Sequence, residues 1–174
     1  MNTNEIKKAT KFELDITKLR YENECQRQES IINQAGNMQS SFSFTTAALF
    51  MACPVMFDNK GVLSFWFIFG SIASIAFVLL ISLFAATMAQ NRSGLKVFPD
   101  GKEVLNYIEK NEIFFDCEEK RNKYLAYTYA EIQESLTFSN NKRIWWLKLS
   151  MWAFYFALLI SVVWFALAMM IIFM

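Results

Sequence analysis

The sequence predicts an all-α integral membrane protein: three transmembrane helices, the first two forming a tight hairpin, with helical cytoplasmic extensions. Three observations carry this. Hydrophobic residues make up 55% of the 174 and charged residues 19%, below the roughly 25% charged usual in soluble domains. The charges are missing in blocks, with none from Gly61 to Gln90 and none from Leu149 to Met174. Each block exceeds the about 20 apolar residues that a helix needs to cross bilayer hydrocarbon. Finally, Gly36 is the lone Gly or Pro between Asn4 and Cys53, so little interrupts a long first helix.

In chain order, residues 1–40 read as a cytoplasmic helix continuous with a first span over 41–57. That span, FSFTTAALFMACPVMF, is shorter and more polar than the others, and a re-entrant or interfacial helix is the alternative. Asp58 to Val62, DNKGV, holds Asn59 and Gly61, residues suited to a tight reversal. A second span follows over 62–90, a helical cytoplasmic insert over 91–148 and a third span over 149–174. The N-terminal stretch MNTNEIKKATKFELDITK lacks the apolar region and small-residue cleavage site of a signal peptide. Insertion is therefore expected to depend on the spans.

Orientation follows from the 17 Lys and Arg. Six precede Phe42, Lys60 lies in the hairpin loop, and ten lie between Arg92 and Lys148. Positive charge favours the cytoplasmic side, which places the N-terminus and the insert there. Trp145 and Trp146, with Lys142, Arg143 and Lys148, stand where an aromatic belt and its basic anchors meet the last span.

A helical stripe runs along the first helix. Ile6, Ala9, Phe12, Ile16 and Leu19 form an apolar seam. The same face continues through Asn23, Gln26, Ser30, Gln34, Asn37, Ser41 and Thr45, then Ala48 and Ala52. It reads either as a helix–helix seam with polar layers or as the lining of a pathway on an oligomer axis. Gly36 is a candidate kink. The second span has a stripe of its own, Ser64, Ser71, Ser74, Val78, Ser82 and Ala85, with Gly70 and Ser74 as a small-xxx-small pair. Small residues allow close helix approach in membranes and hydroxyls bond across it; a wetted lumen is the alternative.

In the insert, Asn91, Ser93 and Gly94 end the second helix and Pro99-Asp100-Gly101 forms a turn. A short helix GKEVLNYIEK follows, with Asp100 as its cap, and then a longer one from Glu112 to Phe138. Leu125, Tyr129 and Ile132 share a face with Arg121, and Asn140 or Asn141 is placed to cap the next helix. The insert has ten basic and nine acidic residues, so it is no polyanion-binding arm. Lys120, Arg121 and Lys123 beside Tyr124, Tyr127 and Tyr129 form one basic–aromatic cluster, and Lys142 with Arg143 another. The first reads as a solvated helix face or as a site for an anionic nucleotide, where a cation binds phosphate and a ring stacks on a base; the second reads as an anchor at membrane entry or as a contact for such a ligand.

Catalytic chemistry is not expected. There is no His, which removes the common general base and the Ser-His and Cys-His arrangements. Phosphate-loop, dinucleotide, zinc-protease and EF-hand motifs are missing. Cys25, Cys53 and Cys117 lie far apart without metal-ligand spacing. No metal or cofactor is implied. No span carries an ionisable group of the kind that relays protons or senses voltage.

The layout of QESIINQAGNMQSSFSFTTAALF, Gln28 to Phe50, leading into a hairpin, and of YAEIQESLTFSNNKRIWWLKLS, Tyr129 to Ser150, before the last span resembles the small membrane effectors of bacterial anti-phage nucleotide-signalling systems. These include the SLATT-type, Pycsar-type and Hailong-type channel effectors. The resemblance covers most of the chain and is one of architecture. It implies a homo-oligomer in the bacterial inner membrane that conducts ions or disrupts the bilayer in abortive infection. A nucleotide or short DNA oligomer, made by a partner nucleotidyltransferase, would open it or hold it shut. Asn23, Gln26, Ser30, Gln34, Asn37, Ser41 and Thr45 are then the candidate pathway residues, and Lys120, Arg121, Lys123, Lys142 and Arg143 the candidate ligand contacts. A non-conducting scaffold that recruits a partner through its cytoplasmic helices is the second reading. A holin-like lysis protein is the third.

Overall fold

The computed structural model describes residues 3–58, 64–91, 107, 109–110 and 117–173. Three long helices account for nearly all of them: α1 (Thr3–Asp58), α2 (Phe65–Gln90) and α3 (Glu118–Phe173). The expected reversal at Asn59 and Gly61, the turn at Pro99–Gly101, the cap at Asp100 and the start of the Glu112 helix lie outside the described residues.

α1 runs for 56 residues without a break at Gly36, about 80 Å at 1.5 Å per residue. Glycine is not needed there, since a Cβ would meet Gln90 Nε2 at 3.8 Å, an ordinary contact. Pro54 stands near the C-terminal end of α1 and removes one ladder donor. α2 begins after Ser64, which is extended at φ −62 and ψ 141, and stops at Asn91, where the backbone turns extended at ψ 124.

α3 also has 56 residues and passes straight through Asn140 and Asn141. The expected helix start there is corrected: neither asparagine caps anything. Asn140 is fully buried, and its amide donates to the carbonyl and the carboxylate of Glu24 on α1. Asparagine favours caps because its side chain competes for local backbone groups. Here that side chain is engaged by another helix, so the competition is lifted and the helix continues.

The described chain divides into two compact units. In the first, residues 3–30 of α1 lie beside the start of α3: Tyr21 meets Tyr129 with ring centroids 5.5 Å apart, and Lys7 pairs with Glu118 at 3.6 Å. The pair is half exposed on both sides and adds little stability. The expected apolar seam is shifted. Phe12 and Leu19 point outward, 65% and 57% exposed, while Ile6, Thr10, Leu14, Thr17, Tyr21 and Glu24 are partly covered. Apolar spacing alone cannot choose this face, because polar residues with partners occupy several of its positions.

The second unit is a three-helix bundle of residues 31–58 of α1, all of α2 and α3 from Lys142 onward. Covered positions recur at alternating intervals of three and four. On α2 they are Ile68, Ser71, Ile75, Val78, Ser82 and Ala85. On α3 they are Arg143, Leu147, Ser150, Phe154, Ala157 and Ser161. On α1 they are Ile31, Ala35, Met38, Phe42, Thr45 and Leu49. This is the period of left-handed helical bundles. The core has three centres: Ile31, Ala35, Ala89 and Leu147; Ile75, Leu79 and Ala157; and Ile68 with Ala168. These pairings make α2 antiparallel to both neighbours. Among the described residues two helices, α2 and α3, contain stretches long and apolar enough to cross a membrane, with mean hydropathy 2.5 and 2.4.

Candidate functional site

α1 carries the candidate pathway face. Asn23, Gln26, Ser30, Gln34, Asn37 and Ser41 are all exposed and spaced three or four apart, so they form one stripe on the side away from the bundle seam. Thr45 differs: it is half-buried, and its hydroxyl donates to the Ser41 carbonyl at 2.9 Å. Ser40, Ser41 and Ser43 likewise donate to carbonyls four residues back, at 3.0 to 3.2 Å. These internal bonds make the hydroxyls cheaper to place in an apolar setting, since each donor is already satisfied.

Behind that face the helices are joined by polar layers that the stripe reading did not single out. In the first unit, Glu24 accepts from Asn140 Nδ2 at 2.9 Å and from Arg27 Nη1 at 3.1 Å, and Arg27 Nη2 reaches Asn141 Oδ1 at 3.1 Å. One carboxylate thus organises two helices. In the bundle, Gln39 donates to Thr87 at 3.3 Å and accepts from Gln90 at 3.3 Å. Deeper in, Ser82 and Ser150 exchange bonds reciprocally: each hydroxyl lies 2.9 Å from the other residue's carbonyl oxygen. Farther along, Trp164 Nε1 donates to Ser74 Oγ at 3.1 Å, and Ser74 donates on to the Ser71 carbonyl at 2.9 Å. The buried part of the α2 stripe is therefore a packing seam between helices. Among the described residues Gly70 makes no close approach, with nothing within 4 Å of a Cβ placed there.

The candidate ligand cations separate into two kinds. Lys120, Arg121, Lys123 and Lys142 are exposed. Arg143 is only 3% exposed, and its Nε donates to the Asn91 carbonyl at 3.1 Å. Asn91 closes the C-terminus of α2, where backbone carbonyls lack helical donors and the helix dipole favours a cation. Arg143 is thus placed as a cap for α2, and a soluble phosphate reaches it only if the bundle opens there. Among the tyrosines, Tyr124 is stacked on Tyr107 at 5.3 Å and Tyr129 packs on Tyr21. Tyr127 is 71% exposed, which leaves its ring open to a base. Tyr21 has its hydroxyl held above the usual 10.0 by a hydrogen bond with Cys25 and by partial burial.

Sequence reasoning missed Glu24, Asn140, Gln39 and Ser150 as interhelical groups. For Ser150 the signal was the seam period: it lies seven residues beyond Arg143 and seven before Ala157, on the covered face. An apolar groove of about 190 Å³ lies between α1 and α2, lined by Phe42, Thr46, Leu49, Ile72, Ala76 and Leu79 among others.

No family model, curated protein or solved structure matches the chain.

Proposed function

We propose that this chain is a homo-oligomeric, multi-pass membrane channel or membrane-disrupting effector, with α2, the apolar part of α3 and the 41–57 part of α1 as its spans. One observation carries the reading: the polar stripe Asn23–Ser41 on α1 is exposed, on a chain whose other two helices present large apolar side chains outward. In the most apolar windows of α2 and α3 only 28% and 11% of residues are buried. A core helix of a water-soluble protein is mostly covered, whereas a lipid-facing helix need not be. Trp66, Phe77, Phe84, Trp152, Phe156 and Phe165 are all more than half exposed, an apolar surface that water does not tolerate at this extent.

Lipid is the natural solvent for those faces and a poor one for the polar stripe where it enters the span at Ser41. Copies of the chain arranged with these stripes inward satisfy both, and leave a polar, uncharged pathway along the axis. The lysine and arginine distribution supports a cytoplasmic N-terminus, and the architectural resemblance supports an inner-membrane location. Control by an anionic nucleotide from a partner nucleotidyltransferase, in anti-phage defence, rests on the architectural resemblance and on the exposed Lys120, Arg121, Lys123 and Tyr127. Ligand binding would shift a shut–open equilibrium by its preference for one state.

The test is conductance of the purified chain in planar bilayers, with and without nucleotides. Ion flux that Asn37→Leu with Ser41→Leu abolishes, in protein that still assembles, supports the reading; silence of folded oligomer under every condition refutes it. The scaffold reading is favoured by Phe12 and Leu19, exposed apolar residues seven apart on α1, and predicts capture of a partner without conductance.

A further inference from the structure

We propose that the outer face of α3 from Lys142 to Trp152 binds the headgroup of an anionic phospholipid. The proposal rests on the membrane reading above and adds the class of lipid.

Lys142, Trp145, Lys148 and Trp152 follow one another at intervals of three, three and four residues. At about 100° per residue they share an arc of roughly 120°. All four are exposed, Trp145 by 57% and Trp152 by 74%. The opposite face of the same turns carries Arg143, Leu147 and Ser150, which are buried in the bundle. The two lysines thus stand outside the core, each beside an indole.

Their charge is not balanced within the bundle. The described charged residues of that unit are Asp58, Lys142, Arg143 and Lys148. Asp58 ends α1, more than twenty residues along the helix from Ile31 and Ala35, which pack near Ile144 and Leu147. Arg143 is committed to the end of α2. On α3 no acidic residue follows Glu134. Among the described residues neither ammonium group is in an ion pair, and both are exposed to an external anion.

A lipid is favoured over a soluble anion by what surrounds them. The indoles are large exposed rings whose amphipathic character suits the headgroup level. Met151, Tyr155 and Phe156 on the next turn are exposed and apolar, as acyl chains require. Lys142 and Lys148 are separated by about 9 Å of helix rise, comparable with the thickness of one headgroup layer. Lysine stems extend along such a layer while the ammonium seeks the phosphate.

The test uses the full chain in phosphatidylcholine vesicles, with tryptophan fluorescence quenched by brominated phosphatidylglycerol or brominated phosphatidylcholine. Each lysine is expected to multiply preference for the anionic lipid about fivefold, so the pair gives about 25-fold. Lys142→Gln with Lys148→Gln should bring the ratio to near one, while quenching by brominated phosphatidylcholine persists and shows the protein still embedded. Equal quenching of the unaltered chain by the two lipids overturns the lipid site and leaves the membrane reading standing. A ratio that the double variant does not change overturns the assignment to these lysines. Displacement of the anionic lipid by pyrophosphate or ATP overturns it in favour of a soluble anion. Lack of quenching by either lipid, with no flotation on vesicles, overturns this proposal and the membrane reading together.

Discussion

Alanine at Ser82 and Ser150, singly and together, tests how α2 and α3 are joined at mid-helix. Both side chains are buried, 2% and 0% exposed. Three contacts connect them: two from a hydroxyl to the facing carbonyl at 2.9 Å, and one between the hydroxyls at 3.2 Å. Two hydroxyls have two hydrogens, and the carbonyl bonds use both. Each bond therefore runs from one side chain to the other residue's backbone, which survives mutation. The facing carbonyl keeps its own helical partner, so no acceptor is stranded. An interhelical bond of this kind in a membrane protein contributes about 0.6 kcal/mol on average and up to about 1.7 kcal/mol. Each single variant should lose roughly that amount and the double variant about the sum, with a coupling energy below about 0.5 kcal/mol. The assay is unfolding by a denaturing detergent, followed by circular dichroism. If both singles and the double lose the same amount, the hydroxyl–hydroxyl contact is the real bond and the reciprocal geometry is refuted.

The remaining expectations use the same reasoning. Gly36→Ala should stabilise the chain by about 0.5–1 kcal/mol in the same detergent titration, because α1 is unbroken there and the new methyl meets only Gln90 at an ordinary distance; destabilisation would argue for a bend at Gly36. Arg143→Ala should cost about 1–3 kcal/mol through lost contact with the α2 terminus, whereas the exposed Lys142→Ala should stay within about 0.5 kcal/mol; equal effects would contradict the capping role. Asn140→Asp sets a second carboxylate against Glu24 and removes two donors, and crowding of like charges raises the folded-state pKa of such a pair. A raised carboxyl pKa favours the folded state at low pH, so the variant's stability deficit should shrink on acidification; a pH-independent deficit would refute the contact. The Tyr21 hydroxyl is raised above 10.0 in the folded chain, so its stabilisation is complete below pH 10 and fades as pH climbs through the raised value. Absorbance titration of Tyr21→Phe should lack a late-ionising phenol present in the parent.

The helical class and the two long apolar helices were legible because they depend on composition along the chain. A charge-free run such as Leu149–Met174 leaves a helix few other ways to exist, whatever it packs against. The end of α2 at Asn91 was legible too, from local backbone preference. The helix start assigned to Asn140 failed for the complementary reason: its preference is real, but Glu24 lies over a hundred residues away in sequence and outweighs it. A separation of 52 residues likewise hid the role of Arg143, which reads as a surface anchor until the Asn91 carbonyl is placed beside it.

What the sequence determined by itself is the alternation of apolar and charged segments, the helices they dictate and the segments that carry most of the positive charge. These are sums over neighbouring residues, so no partner is needed to evaluate them. What only the tertiary structure decided is which face of each helix is covered. On α1 the stripe through Phe12, Leu19, Asn23 and Ser41 and the seam through Leu14, Glu24, Ile31 and Phe42 are both acceptable at helical spacing. The seam became the inside because Asn140, Leu147 and the α2 residues supply its complements. The stripe was left exposed for water, lipid or another copy to meet.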